Sequence, residues 1–225
     1  MSSRGERGRD GTLVQWTVVI PLKPLARAKS RLADTAHEGL RPGLALAFAQ
    51  DTVAAVLACA AVRDVAVVTN DAVAARELSA LGAAIVSDEP LGGLNAALAH
   101  GAAAVRTLRP DSPVAALNAD LPALRPLELA RVLDAAAEFP RAFLADAATV
   151  GTTLLTARPG QELLPHFGPR SRIRHQESGA VELGLTSVNS VRQDVDTGDD
   201  LRAALALGVG TRTATAVEGL LIAGQ

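Results

Sequence analysis

The sequence predicts a single α/β domain built on a mainly parallel sheet that is flanked by helices. Short apolar runs alternate with longer segments whose apolar residues recur at helical spacing through the first 140 residues. Strands that alternate with helices at these distances are typical of βαβ units, whose strands run parallel. A chain of 225 residues, of which 48% are hydrophobic, is long enough to bury one such core.

Four strands and four helices are predicted before residue 140. Each strand is a short apolar run that ends at a polar or proline-containing loop, and we place the strands at 18–20, 65–68, 83–86 and 114–117. Apolar residues at helical spacing place the helices at 39–61, 72–81, 95–108 and from 126 onward. Gly82 suits the end of the second helix, and Pro126 suits the first turn of the fourth.

After residue 140 the alternation of strands and helices gives way to a less regular pattern. We predict strands at 142–145, 152–156 and 185–188, and a polar, loop-rich segment at 166–180. The final helix is predicted at 199–207, with Thr197 as its N-cap and two aspartates in its first turn. We expect a disordered tail over 1–12, one domain over 13–215 and a C-terminal tail over 216–225.

Composition and charge exclude several classes of protein. The net charge of −2 argues against a general nucleic-acid binder, so any anion site must be local. No apolar run approaches the length of a membrane span, and residues 1–12 lack the apolar segment of a signal peptide. The single cysteine, Cys59, lies in an apolar pattern and is expected to be a core residue. We therefore expect a cytoplasmic protein that binds neither membranes nor nucleic acids.

A basic loop follows the first predicted strand. Its cations are Lys23, Arg27, Lys29 and Arg31. Four cations so close together repel one another unless an anion lies among them. The carboxyl edge of a parallel sheet and the N-terminus of the following helix are where α/β proteins hold phosphates. The loop therefore predicts a phosphate site, and the alternative is a basic turn that is merely exposed to solvent.

Carboxylates that could hold a metal ion lie further along the chain. Asp120 directly follows the strand predicted at 114–117, so its side chain should face the crevice at the carboxyl edge of the sheet. Asp194 and Asp196 offer a second carboxylate. Because side chains alternate along an extended chain, we expect these two to point to opposite faces, with only one reaching the cleft. Mg²⁺ prefers such oxygen ligands; the alternatives are an ordinary loop aspartate and helix capping.

A second basic cluster lies in the loop-rich segment 166–180 and could bind an anion. It consists of Arg170, Arg172, Arg174 and His175. Gly168 and Ser171 lie beside it, and a glycine followed by small hydroxyl and basic residues can bind a phosphate or carboxylate. Thr152 opens a predicted strand and could add a hydroxyl. The alternative is a solvated arginine-rich loop, and His175 alone does not indicate a general base.

Three common signatures are absent from the sequence. There is no G-x-x-x-x-G-K-[ST] loop, which argues against a P-loop NTPase, and no G-x-G-x-x-G after the first strand, which argues against an NAD-type enzyme. The G-x-S-x-G turn of α/β-hydrolases is also missing.

Four motifs, however, resemble one family in their order and separation. They are PLKPLARAKSRL, NADLPAL, HFGPRSRIRHQESGAVEL and QDVDTGDDL, and they extend over roughly residues 16–210. They are similar to motifs of the guanylyltransferases of deazaflavin coenzyme (coenzyme F-420) biosynthesis. The first and third motifs are the more specific, whereas the other two are shared more widely among nucleotidyltransferases. Ala119 and Gly198 depart from residues common in the family, and both departures affect backbone details only.

The resemblance implies a nucleotidyltransferase-like (Rossmann-like) fold and a Mg²⁺-dependent reaction. In that reaction GMP passes from GTP to a small phosphorylated carboxylic acid and pyrophosphate is released. We expect phosphoenolpyruvate as the acceptor, as in actinobacterial members, with 2-phospho-L-lactate as the alternative. The resemblance also allows a hand-over of the unstable product to the next enzyme of the pathway. Two rival interpretations are a non-catalytic domain that binds a phosphorylated metabolite and a sugar-nucleotide or molybdopterin cytidylyltransferase.

The resemblance also implies roles for individual residues. Asp120 and Asp194 would hold the metal ions, with Asp196 as a second candidate. Thr152, Gly168 and Ser171 would bind the phospho-acid. The residues expected on the nucleotide, of which the first two would also assist catalysis, are Lys23, Lys29, Arg31 and Asn95.

Overall fold

One seven-stranded sheet organises the part of the chain that the computed structural model describes, which is residues 14–27, 41–88 and 92–223. The strands are β1 (Trp16–Pro21), β2 (Val62–Val68), β3 (Ala84–Val86), β4 (Val114–Leu117), β5 (Arg141–Ala145), β6 (Thr152–Ala157) and β7 (Val181–Glu182). Their order in the sheet is β3-β2-β1-β4-β6-β5-β7. Only β6 among them is antiparallel to its neighbours, so the predicted mainly parallel sheet is confirmed. The predicted tail over 1–12, Lys29 and Arg31 lie outside the described residues.

Helices connect these strands and complete the C-terminal part of the fold. They are α1 (Arg41–Leu57), α2 (Ala72–Ala80), α3 (Leu94–Leu108), α4 (Pro126–Ala136), α5 (Ser171–Glu177), α6 (Asn189–Arg192), α7 (Gly198–Leu207) and α8 (Thr211–Ala223). Pro126 lies in the first turn of α4, as predicted. Thr197 caps α7 and forms a capping box with Asp200, which confirms the predicted start of that helix. No helix of the described residues has the length and apolar character that a membrane crossing needs.

The core lies on both faces of the sheet. Along β1, Val18 and Ile20 belong to the cluster that α1 and α4 cover, whereas Val19 belongs to the cluster under α3. This alternation explains why β1 is an unbroken apolar run, since both faces of a central parallel strand are buried. Helix α3 approaches the sheet closely at Gly101, where a Cβ atom would lie 2.6 Å from side-chain carbons of Val19 and Val68.

Three predictions in the second half of the chain are wrong. The segment 166–180 contains helix α5, which is too short to show an apolar period. Residues 185–188 form no strand; the strand at this edge is β7, only two residues long, and the buried Val188 precedes helix α6. Helix α7 is followed by α8, and the predicted domain boundary at residue 215 falls inside α8.

Helix α8 is held by contacts that are distant in sequence. The buried carboxylate of Asp51, on α1, accepts hydrogen bonds from the backbone N–H groups of Arg212 (3.3 Å) and Thr213 (2.8 Å). Ala216 and Val217 pack against the small core cluster that includes Phe48. Because the N-terminus of α8 is capped from α1 rather than by its own preceding residue, the local sequence carries little sign of this helix.

Candidate active site

A cleft of about 580 Å³ opens at the carboxyl edge of the sheet. It is lined by residues from the ends of β1, β4 and β5, the start of β6, and the loops before α5 and α7. Six of the predicted site residues that the structure describes share this lining with Lys23. They are Asp120, Thr152, Gly168, Ser171, Asp194 and Asp196. The structure therefore brings together side chains that are up to 173 positions apart in the sequence.

One wall of the cleft carries the carboxylates. Strand β4 ends at Leu117, and Asn118, Ala119 and Asp120 follow it into the cleft. The backbone N–H of Val195 donates to the carbonyl oxygen of Asp120 at 3.1 Å, which fixes the segment before α7 beside the end of β4. The Asn118 side-chain amide lies 3.4 Å from a carboxylate oxygen of Asp194. Two distant segments thus present their aspartates to one space.

The expectation that Asp194 and Asp196 point to opposite faces is wrong. Both line the cleft, Asp194 half-buried and Asp196 exposed, whereas Val195 between them is buried in the cluster that includes Phe48. Side chains two residues apart in an extended chain share a face, so the alternation separates Val195 from the two aspartates rather than the aspartates from each other. Both carboxylates therefore border the space that a ligand in the cleft would occupy.

The donor set of this wall is suited to Mg²⁺. Asp120, Asp194 and Asp196 offer only carboxylate oxygens, the ligand type that Mg²⁺ prefers. Within the described residues no group of three or more acidic, histidine or cysteine side chains is close enough to form a metal cage by itself. Mg²⁺ characteristically binds one or two carboxylates together with water and substrate phosphates. The residues therefore fit a metal ion that arrives with a phosphate ligand.

The charge of the lining supports the same conclusion. Among its described residues the cleft has four carboxylates, which include Asp146, against two cations, Lys23 and Arg170. These described residues alone would repel a phosphate ester, so its binding calls for further positive charge. A bound cation is one source of that charge, and the predicted loop cations Lys29 and Arg31 are another.

The opposite wall carries the groups predicted to bind the acceptor. Ser171 is buried at the start of α5, and its backbone N–H donates to the Gly168 carbonyl at 3.1 Å. Gly168 has φ 108°, in the region that favours glycine, so this turn depends on a residue without a Cβ atom. Thr152, the first residue of β6, is also buried and lines the same wall.

Asn95 contacts the backbone of the acceptor wall and is not among the residues that line the cleft. Its side-chain carbonyl accepts from the Phe167 N–H at 2.7 Å, and its amide donates to the Phe167 carbonyl at 3.1 Å. Both polar atoms of Asn95 are therefore engaged with the backbone next to Gly168. The geometry favours a structural role over the predicted contact with the nucleotide.

Two polar residues of the lining, Asn118 and Asp146, were not among the predicted site residues. Asn118 directly follows β4, and Asp146 directly follows β5. The Asp146 carboxylate accepts from the N–H groups of Val150 (2.9 Å) and Gly151 (2.8 Å), so it shapes the loop that leads into β6. The signal that could have found both is the one that found Asp120, namely a polar residue directly after a buried strand.

The second basic cluster is used mainly to hold the backbone. Arg172 pairs with Glu182 at 2.9 Å, and Arg174 donates to the carbonyl oxygens of Phe167 and Pro169. Only Arg170 of the four lines the cleft. The predicted anion site therefore receives one arginine from this cluster rather than three.

The loop after β1 is anchored to α2. The carboxylate of Asp71 accepts from the N–H of Leu25 at 2.9 Å as well as from Val73 and Ala74. Burial opposes ionisation of Asp71, but these backbone donors, with Ala74 first, lower its pKa and keep it charged. This anchor lies two residues after Lys23, an exposed cation that lines the cleft.

His175 lies behind the acceptor wall and is fully buried. Its Nδ1 is 3.0 Å from the Thr152 hydroxyl, and its Nε2 accepts from the His166 backbone N–H at 2.9 Å. Burial lowers the pKa of His175 to about 4, and the positive charges of His166, Arg141 and Arg174 act in the same direction. A neutral, enclosed imidazole of this kind does not act as the general base of the cleft.

The sheet order with one reversed strand, together with an acidic cleft at its carboxyl edge, defines a nucleotidyltransferase-like protein. A solved nucleotidyl transferase from Methanothermobacter thermautotroptrophicus superposes with a TM-score of 0.59, covering 86% of this chain and 97% of that one at 22% identity. At this identity the likeness shows the fold.

Sequence comparison then shows the family. Residues 16–222 match the family described as "Guanylyl transferase CofC like", and the chain belongs to that family. The chain is 79% identical to the phosphoenolpyruvate guanylyltransferase of Streptomyces avermitilis over 94% of its own length and 98% of the relative. It is 76% identical to the enzyme of that name from Streptomyces coelicolor, over 94% of its length and all of the relative. The resemblance found from the four motifs is confirmed.

Proposed function

We propose that this protein transfers GMP from GTP to phosphoenolpyruvate and releases pyrophosphate, as a step of coenzyme F-420 biosynthesis. The observation that carries the proposal is the cleft in which the carboxylates Asp120 and Asp194 face the hydroxyl-bearing wall of Thr152 and Ser171. Membership of the guanylyl transferase family and the names of the two Streptomyces relatives support the choice of both substrates.

The reaction needs positioning and charge neutralisation rather than acid–base chemistry. A phosphate oxygen of the acceptor attacks the α-phosphorus of GTP, the bond to the β-phosphate breaks, and pyrophosphate leaves with the electron pair. The acceptor oxygen is already anionic at neutral pH, so no protein group has to remove a proton. This agrees with the state of His175 behind the acceptor wall, where the ring is neutral and has both nitrogens engaged.

Mg²⁺ is the cofactor that we propose, with Asp120 and Asp194 as its protein ligands and Asp196 as a further candidate. When bound, it would neutralise phosphate charge and let the two anionic substrates approach each other. Asp120 and Asp194 would fix the position of that charge, because the Val195–Asp120 backbone hydrogen bond holds their segments together. Lys23 would bind the triphosphate at the mouth of the cleft and stabilise the leaving pyrophosphate. Lys29 and Arg31 are expected to assist it.

On the acceptor side, Thr152, Ser171 and the backbone at Gly168 would bind the anionic groups of the phospho-acid. Phosphoenolpyruvate and 2-phospho-L-lactate carry a phosphate and a carboxylate at similar separation, so charge alone does not distinguish them. A methyl-scale difference in a pocket changes binding by about 1–3 kcal/mol. We therefore expect a preference for phosphoenolpyruvate rather than complete rejection of the lactate.

Two rival functions make different demands on the cleft. A non-catalytic domain that binds a phosphorylated metabolite would need the anion-binding wall, but the carboxylates on the opposite wall would not help it to bind an anion. A cytidylyltransferase would keep the carboxylates but usually carries a glycine-rich first loop, whereas this loop reads PLKPLARAKS. The lack of a long apolar segment in the sequence favours a cytoplasmic location, and the family resemblance allows a hand-over of the product to the next enzyme.

The proposal is tested by incubating the protein with Mg²⁺, each of the four nucleoside triphosphates and a panel of phospho-acids, and identifying products by mass. We expect a guanylylated phosphoenolpyruvate and pyrophosphate. With both acids at equal concentration, predominance of the lactyl product would move the acceptor assignment to 2-phospho-L-lactate. A cytidylylated product, or binding of phospho-acids without any product, would replace the proposed function by one of its rivals.

A further inference from the structure

A chain of three hydrogen-bonding groups runs from the backbone into the acceptor wall. The His166 N–H donates to His175 Nε2 at 2.9 Å, and His175 Nδ1 lies 3.0 Å from the Thr152 hydroxyl oxygen. The imidazole has no exposed surface, and the rings of Phe143 and Phe167 pack against it at centroid distances of 5.6 and 5.1 Å. The ring therefore has a single orientation and no access to bulk water.

This geometry determines which nitrogen of His175 carries the proton. A backbone N–H can only donate, so Nε2 must present its lone pair to His166. The pKa of His175 is lowered to about 4 by burial, and by the positive charges of His166, Arg141 and Arg174, so the ring is neutral near pH 7. A neutral imidazole has one proton, which is therefore on Nδ1. His175 consequently donates to Thr152 and does not accept from it.

The direction of this hydrogen bond decides what the Thr152 hydroxyl does. Its oxygen accepts from His175, and its own proton remains to be donated. Within the described residues the Thr152 hydroxyl oxygen makes no hydrogen bond other than the one to His175. Thr152 lines the cleft, so an anionic oxygen placed there can accept this proton.

We propose that His175 is a positioning residue that acts through Thr152. Fixed as the Nδ1–H tautomer by the His166 backbone, it donates to one lone pair of the Thr152 oxygen and leaves the Thr152 hydroxyl proton to a phosphate or carboxylate oxygen of the acceptor. The identity of that anion rests on the proposed function. The tautomer and the direction of donation rest only on the three groups described. Because the Thr152 oxygen already accepts from His175, its proton is left for an anion, which can only accept, before that anion arrives.

Substitutions that imitate one ring nitrogen at a time test the role. An asparagine amide lies near the position of Nδ1 and can donate to Thr152, whereas a glutamine reaches the position of Nε2 and leaves Thr152 without its donor. We expect His175→Gln to raise KM for phosphoenolpyruvate about 10- to 100-fold, the range for losing one hydrogen bond to a charged group. The KM for GTP should change little. We expect His175→Asn to recover a large part of the loss.

Coupling between the two residues separates positioning from general stability. Thr152→Val removes the hydroxyl at nearly constant shape, and Thr152→Ser retains it. If His175 acts through Thr152, adding His175→Gln to Thr152→Val should not raise KM further. Phe143→Leu is the matched control, because it loosens the packing around the imidazole without removing either hydrogen bond. It should lower the melting temperature with little change in KM. Independent, multiplying effects of Thr152→Val and His175→Gln would overturn the proposal.

The tautomer is measured without substrate by nitrogen-15 NMR of the protein labelled at its four histidines. The signals of His175 are those missing from the His175→Gln spectrum, or from the His175→Asn spectrum if the glutamine variant does not fold. We expect a protonated Nδ1 and an unprotonated Nε2 at neutral pH, and a proton on Nε2 would refute the inference. Failure of the wild-type protein to form product would refute the proposed function instead, because the nitrogen spectra do not depend on it.

Discussion

Burial of His175 makes the stability of the fold depend on pH in a defined window. The ordinary pKa of 6.5 describes the unfolded chain, and the pKa in the folded protein is about 4. Between these values the unfolded state binds more protons than the folded state, so stability falls as pH falls. The contribution is fully present above pH 6.5 and is lost as pH drops towards 4. The slope is about 1.4 kcal/mol per pH unit, and the whole effect is about 3 kcal/mol.

The contribution of His175 is isolated by comparing the wild-type protein with His175→Gln in urea unfolding. The single tryptophan, Trp16, is buried in β1 and reports unfolding by its fluorescence. The difference in unfolding free energy between the two proteins should shrink by about 1 kcal/mol from pH 6 to pH 5, because the unfolded-state histidine is only partly protonated at pH 6. His100→Gln, which replaces an exposed histidine on α3, is the control and should leave the profile unchanged. A constant difference between wild type and His175→Gln over this range would show that His175 titrates normally in the folded state.

Three further predictions follow from the structure. Asp120→Asn should lower the turnover number at least about 100-fold without changing the melting temperature, because it removes charge from the cleft at constant shape. If this variant retains its activity, Asp120 is not a metal ligand. Asp194→Asn should lower the turnover number more than Asp196→Asn, since Asp194 is the more buried of the two. Lys23→Ala should raise KM for GTP about tenfold, with little effect on KM for phosphoenolpyruvate. Steady-state kinetics with each substrate varied in turn would measure both constants, and a larger rise in KM for phosphoenolpyruvate would contradict the assignment of Lys23 to GTP. Asp51→Ala should lower the free energy of unfolding by about 1–2 kcal/mol through loss of the α8 cap, whereas Asp111→Ala, in an exposed loop, should not; equal effects would contradict the capping role.

The sequence predicts strands well where a strand is buried on both faces. Strand β4 has the predicted bounds, and its four residues are all buried. A short, continuous apolar run such as the one between Pro113 and Asn118 is typical of a strand that is buried on both faces. Strand β7 is the opposite case, because two residues with one exposed side chain carry no periodicity that separates them from a loop.

The helices that sequence reasoning missed lack a local signal. Helix α5 is seven residues long and has only one apolar residue, Ile173, so its sequence resembles a polar loop. Helix α8 carries alanine and threonine where a stronger apolar stripe would be expected, and its N-terminus is held by Asp51 from another helix. Both helices are stabilised by contacts that only the tertiary structure supplies.

The sequence predicts those residues of the candidate site that lie next to the first or last residue of a strand. Asp120 and Thr152 lie at such positions, and both line the cleft. Asn95 stands at the start of a helix, where a nucleotide contact is a reasonable prediction, but its partner is the backbone of Phe167, 72 residues away. A pairing over that distance has no local sequence signature.

The reversed strand β6 explains why the two walls of the cleft meet. In a wholly parallel sheet only the ends of strands reach the carboxyl edge, and the start of each strand lies at the opposite edge. Because β6 runs antiparallel to β4, its first residue, Thr152, lies at the carboxyl edge, where the Asn118 N–H donates to the Thr153 carbonyl at 3.0 Å. Reversal of one strand thus places a hydroxyl next to the segment that carries Asp120. The proposed reaction, in which a carboxylate-bound cation would meet an anionic acceptor, would need these two kinds of group side by side.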